Sequence, residues 1–63
     1  MMYSLEAVRG GKKFFNYYYT LVDLMAAYRE KVAAGYVCVM KKYKSRFSAG
    51  KTIHASDFHL RDN

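Results

Sequence analysis

Apolar residues in the middle of the chain recur at the spacing of an α-helix. A helix at this position limits the folds that the chain can adopt. Thr20 suits the N-cap, with Asp23 three residues on in a weak variant of the capping box, and Gly35 suits the left-handed position after the last turn. We therefore expect a helix over residues 21–34. Its apolar positions recur at intervals of three and four, along one side: Leu21, Leu24, Met25, Tyr28 and Val32.

The segment before the helix has the pattern of a β-hairpin. Apolar and polar residues alternate from Tyr3 to Ala7, and residues 13–19 are rich in aromatic side chains. Gly10 and Gly11 lie between these two runs and supply the positive φ angles that a tight hairpin turn requires. We predict strands over residues 3–8 and 13–19.

The segment after the helix begins with an apolar run over residues 36–40 that contains β-branched residues and is typical of a well covered strand. This third strand is expected to continue to about Tyr43. The residues from Ser45 to Gly50 are interpreted as a loop, and Thr52 to Leu60 as a possible fourth strand, although its apolar residues keep no regular period.

These elements predict a single α+β domain over residues 1–63, with a small antiparallel sheet of three or four strands and one helix on one face. The order is β-β-α-β with a possible fourth strand. A right-handed crossover through the helix would bring the third strand beside the first. One helix covers one face only, so the other face of the sheet is expected to lack a cover.

A second interpretation of the same residues is one long helix with an extended basic C-terminal segment. Phe14 and Tyr17 continue the helical spacing of Leu21 and Leu24, so a helix could begin near residue 14. Three consecutive tyrosines after two phenylalanines favour a strand, as does Thr20, which is better suited to a cap than to a helix interior.

Positive charge is concentrated in residues 41–51. The net charge of the chain is +6, and this segment carries +5 with no acidic residue. Neighbouring charges add their potentials within about 8 to 10 Å, so a local cluster indicates an anionic partner more strongly than scattered charge does. The cations of the segment are Lys41, Lys42, Lys44, Arg46 and Lys51.

The preferred functional hypothesis is a small basic binding module for nucleic acid, RNA or DNA, or for a nucleoprotein complex. The lysines and Arg46 would contact phosphates while Tyr43 and Phe47 stack on bases. Arg9, Lys12 and Lys13 would extend this track if the hairpin turn lies at the same end of the sheet. The partner could instead be an acidic surface on a larger protein.

The alternative hypothesis is a small inhibitor or adaptor, of the type that phage genomes encode, which docks on a larger host protein or enzyme. It would use a sheet edge and an aromatic face. Phe14, Tyr18 and Tyr36 are the predicted residues of that face, because the chain has more aromatic side chains than one helix can cover.

No motif in the chain indicates catalysis, a cofactor, a metal site or a small-molecule substrate. Gly50-Lys51-Thr52 matches only the end of a phosphate-binding loop, and too few residues follow it for the helix that such a loop requires. Cys38, His54, Asp57 and His59 lack the paired cysteines of a structural zinc site. We therefore expect a protein that binds and is not an enzyme.

The predicted location is the cytoplasm. A single cysteine fits a reducing compartment. A signal peptide is not expected from the N-terminal residues, and no run approaches the roughly 20 apolar residues of a membrane span.

Overall fold

A computed structural model describes residues 2–45 and 47–55 of the chain. It contains the strands β1 (Met2–Arg9), β2 (Lys12–Tyr18), β3 (Val37–Tyr43) and β4 (Lys51–Ile53), with the helix α1 (Leu21–Ala33) between β2 and β3. All neighbouring strands are antiparallel, and their order in the sheet is β2-β1-β3-β4. The predicted α+β class and β-β-α-β order are confirmed, with β3 beside β1 and a fourth strand at the edge.

The hairpin between β1 and β2 closes through Gly10 and Gly11. Arg9 pairs with Lys12, so these two glycines form the whole loop. Gly10 has a φ of 58°, whereas Gly11 does not have a positive φ. This is the φ pattern of a type II′ turn, in which glycine takes the first central position and the turn matches the twist of the strands.

The helix begins and ends at residues that the sequence indicates. The Thr20 side chain accepts a hydrogen bond from the Asp23 backbone N–H at 3.2 Å, and Thr20 itself is extended. Gly35 lies just beyond the helix with a φ of 88°. The long-helix alternative is therefore wrong, because residues 14–18 pair with β1 and Thr20 separates them from α1.

The core lies between α1 and one face of the sheet. Leu5 and Leu24 have no exposed surface, and Tyr3, Met25 and Met40 are buried with them. Tyr3, Leu5 and Ala7 alternate along β1, so all three point toward the helix. This single cluster fixes which face of the sheet is covered and leaves the opposite face without a covering layer in the described part of the chain.

The strand β4 begins one residue earlier than predicted and ends at Ile53, so the predicted strand is not observed at residues 54 and 55. Its three residues pair with β3, with Ile53 opposite Met40 and Lys51 opposite Lys42. The segment between β3 and β4 contains a turn in which the Ser48 N–H bonds to the Ser45 carbonyl at 3.1 Å, consistent with the predicted loop. The predicted extension of β4 over residues 56–60 lies outside the described residues.

Candidate functional site

The face of the sheet opposite α1 carries a mixed apolar and charged surface, here called the open face. Strand pairing places the residues of the open face in rows across β2, β1 and β3. The rows are Lys13, Val8 and Val37, then Phe15, Glu6 and Val39, then Tyr17, Ser4 and Lys41, with Tyr43 next along β3.

The centre of the open face is apolar and exposed to solvent. Phe15 is 49% exposed and Tyr17 is 47% exposed. Val8, Val37 and Val39 on the neighbouring strands are exposed as well. Contiguous apolar surface of this kind on a small protein is typical of a binding site.

Three aromatic rings on the open face contact one another edge to face. The Phe15 and Tyr17 ring centroids are 5.0 Å apart with perpendicular planes, and those of Tyr17 and Tyr43 are 6.2 Å apart at 64°. The Tyr43 hydroxyl shares a hydrogen bond of 3.1 Å with Ser4 Oγ, which is 2% exposed. The rings are thus held in defined orientations, and the buried Ser4 hydroxyl beneath them has a hydrogen-bond partner.

Gly50 is required for the position of the Tyr43 ring. A Cβ atom at residue 50 would lie 2.5 Å from Cε2 and 2.7 Å from Cζ of Tyr43. Only glycine permits so close an approach of the backbone. The role of Gly50 in this structure is therefore to admit an aromatic ring.

Four lysines gather where β3 ends and β4 begins, and they are called the basic end. Lys41 lies on the open face, and Lys42 and Lys51 pair with each other on the opposite face. Lys44 is exposed immediately after β3. The basic end is therefore made of Lys41, Lys42, Lys44 and Lys51, which the sequence also grouped.

The other two predicted members of this cluster are Phe47, in the loop after β3, and Arg46. Phe47 is 91% exposed there. Arg46 lies outside the described residues.

The cations of the hairpin turn lie at the other end of the sheet, which corrects the prediction of one continuous track. Lys13 pairs with Val8, whereas Lys42 pairs with Tyr3, five residues away along β1. That separation corresponds to about 17 Å, well beyond the Debye length. Arg9 and Lys12 are farther still, and Lys13 forms an ion pair with Glu6, with 3.0 Å between Nζ and Oε2.

The aromatic residues predicted to face a protein partner lie on the helix side of the sheet. Phe14 and Tyr18 are half-buried and pack against the core. The Lys31 ammonium lies 4.2 Å from the centroid of Phe14 and 5.2 Å from that of Tyr36, so these two rings hold the helix through cation–π contacts. The exposed aromatic face is thus the other side of β2, with Phe15 and Tyr17.

Cys38 is half-buried on the covered side of the sheet. Burial raises the pKa of its thiol, and the nearby Lys31 charge offsets part of this rise. The Sγ atom is 3.9 Å from the Tyr36 carbonyl oxygen, the acceptor of a weak hydrogen bond. A raised thiol pKa is the opposite of what a nucleophilic cysteine needs.

Residues 2–45 and 47–55 contain no group of three or more His, Cys, Asp and Glu side chains that would hold a metal ion. The helix in that part of the chain is too short to span a bilayer. His54 is exposed, while Asp57 and His59 lie outside the described residues.

Comparison of the chain with protein-family models, with curated proteins and with solved structures finds no significant match.

Proposed function

We propose that the protein binds single-stranded nucleic acid on the open face and acts by binding, without catalysis. The observation that carries this proposal is the exposed aromatic cluster of Phe15, Tyr17 and Tyr43 with Lys41 on the same face and the basic end beside it. Aromatic platforms combined with cations along a sheet are a common way to hold unpaired bases and their phosphates. A cytoplasmic location is part of the proposal.

Base stacking is assigned to Phe15 and Tyr17, which are each about half exposed. Stacking on an aromatic side chain contributes about 1 to 3 kcal/mol per base and tolerates any base, because every base has a π-face. Only a single strand offers such faces without the cost of opening a duplex. This assignment moves the stacking role from Phe47 in the loop to the sheet itself and keeps Tyr43 as a supporting ring.

Phosphate contacts are assigned to the basic end. Its lysines lie on both sides of β3, at the start of β4 and just after β3. A nucleic-acid strand that crosses the open face would therefore pass them as it leaves the sheet. The cations of the hairpin turn are too far away to act on the same phosphates. Of the acidic side chains in the described residues, Asp23 and Glu30 lie on α1, away from this path, and Glu6 lies on the open face itself.

Fluorescence anisotropy with a labelled oligonucleotide of about eight nucleotides tests the proposal. We expect Phe15→Ala and Tyr17→Ala each to weaken binding by about 5- to 150-fold. The control is Val22→Ala, which removes exposed apolar atoms from the helix on the opposite side of the molecule. Equal affinity of all four proteins, or no binding at micromolar protein and low salt, would contradict the proposal.

A second candidate function is docking on a larger protein through the edge of β2. In the described part of the chain the sheet ends at β2, which is seven residues long, so one side of its backbone has no neighbouring strand there. The Asn16 side chain accepts a hydrogen bond from the Tyr17 N–H at 2.9 Å and so occupies one backbone donor of this strand. Exposed edges of this length are suited to the addition of a partner strand.

The two candidates differ in their response to nuclease. A partner captured by the wild-type protein, retained after nuclease treatment, still captured by Tyr17→Ala and lost in a Tyr17→Pro variant would favour docking through the edge. Proline removes the donor that Asn16 now occupies. Loss of every partner after nuclease treatment would favour nucleic acid.

A further inference from the structure

The open face carries one acidic side chain among the described residues, and its position is unusual for a surface that binds phosphates. Glu6 lies in the middle row, directly between Phe15 and Val39. Its side chain is 39% exposed, so it is accessible to a ligand. A carboxylate repels a nearby phosphate. Of the parts of a bound nucleotide, Glu6 can therefore favour only the base.

Glu6 and Lys41 line a shallow depression in the open face. Ser4 and Tyr43 form its polar floor, and Phe15 and Val39 are its apolar walls. The volume is about 70 Å³, enough for the edge of one ring and too small for a whole nucleotide. The depression therefore suits the edge of a base that reaches past the aromatic rings.

The two charged residues of this depression lie on neighbouring strands of the sheet. Glu6 is the diagonal neighbour of Lys41 across β1 and β3, which places their Cα atoms about 7 to 8 Å apart. Only Oε2 of Glu6 is engaged by Lys13, and a carboxylate has about four acceptor positions in total. Glu6 therefore has acceptor capacity left for a ligand, and Lys41 can donate beside it.

We infer that the depression reads guanine in a single strand. The Watson–Crick edge of guanine presents two adjacent donors, N1–H and the exocyclic N2–H, followed by the O6 acceptor. A carboxylate accepts from both donors and an ammonium donates to O6, so Glu6 and Lys41 match all three groups. Uracil and thymine place a single donor between two acceptors, and a carboxylate would face an acceptor there.

This inference rests on the proposed function, because it assigns base preference to the same face. It goes beyond stacking, which does not distinguish the bases. A matched pair of hydrogen bonds to a base edge discriminates by about 1 to 3 kcal/mol, which corresponds to about 5- to 150-fold in affinity.

The test compares labelled oligouridine of about eight nucleotides with the same oligomer carrying one central guanine, adenine or cytosine. We expect the wild-type protein to bind the guanine oligomer at least about tenfold more tightly than oligouridine. Glu6→Gln should reduce this ratio toward one while it leaves the affinity for oligouridine equal or higher, because a negative charge is lost. Glu30→Gln, with the same charge change on the helix, should keep the wild-type ratio.

The outcomes separate the two levels of the proposal. Equal affinity for all four oligomers, or an unchanged preference in Glu6→Gln, overturns the guanine assignment and leaves binding on the open face intact. Absence of binding to every oligomer overturns both. Circular dichroism of each variant verifies that the fold is retained, so a loss of preference in a folded Glu6→Gln protein supports the inference.

Discussion

The salt dependence of binding should report which lysines contact phosphates. For single-stranded nucleic acid, the logarithm of the binding constant falls with the logarithm of salt concentration, with a slope of about −0.7 for each phosphate neutralised. The basic end has four lysines, Lys41, Lys42, Lys44 and Lys51. On oligouridine, which offers Lys41 no guanine O6, we expect each of the four to contact one phosphate and the wild-type slope to be about −2.8.

The perturbation is the double variant Lys41→Gln and Lys44→Gln. Two phosphate contacts are lost, so the slope should become less negative by about 1.4. Between about 50 and 200 mM salt, the wild-type affinity should then fall about 50-fold and that of the variant about 7-fold. Anisotropy titrations at four or more salt concentrations measure both slopes directly.

The matched control removes two positive charges from the hairpin turn at the opposite end of the sheet. Arg9→Gln with Lys12→Gln has the same effect on net charge, and these residues pair with each other beyond the open-face rows. Its slope should remain close to that of the wild type. Equal changes in slope for the two double variants would refute the argument, because binding would then respond to total charge and not to the basic end.

Three further predictions concern the structure around the site. Lys31→Met should lower the free energy of unfolding by about 1 kcal/mol, since its cation–π contacts with two rings are lost, and thermal denaturation measures this; an unchanged midpoint would contradict it. Gly50→Ala should lower the free energy of unfolding by about 1 to 3 kcal/mol, because the Tyr43 ring must move. Gly11→Ala should lower it far less, because no atom lies within 4 Å of the new Cβ. The Cys38 thiol should react with iodoacetamide more slowly at pH 8 than an unfolded control, because its raised pKa lowers the thiolate fraction, and an equal rate would refute this.

The fold was predictable because its signals are local. Gly10 and Gly11 between two alternating segments predict the hairpin, and Thr20 and Gly35 predict the helix ends; each feature has a direct geometric cause in the structure. The extent of β4 was less predictable, because a three-residue edge strand has no hydrophobic period of its own and depends on pairing with β3.

The sequence also implies which side of β2 faces the helix, although the prediction from aromatic residues placed Phe14 and Tyr18 on a face for a protein partner. A two-residue turn pairs Arg9 with Lys12, and that register places Phe14 opposite Ala7. Ala7 lies on the apolar side of β1, which must face the helix. Counting the register through the turn would therefore have assigned Phe14 to the core and Phe15 to the open face.

The position of Glu6 in the site was only partly predictable from the sequence. The predicted crossover brings β3 beside β1, but no signal in either segment fixes the register that places Glu6 near Lys41. They share a surface because β1 lies between β2 and β3, with Glu6 one row from Lys41. Contacts of this kind depend on the register between strands that are not consecutive in the chain, which composition does not specify.

Chemical-shift mapping tests the central claim most directly. A nitrogen-15-labelled protein titrated with a single-stranded oligonucleotide should show its largest amide shift changes at Phe15, Val39 and Lys41 on the open face. The amides of Val22 and Ala26 on the exposed side of α1 should remain unchanged. Shift changes concentrated on α1, with the open face unaffected, would contradict the claim that this face binds nucleic acid.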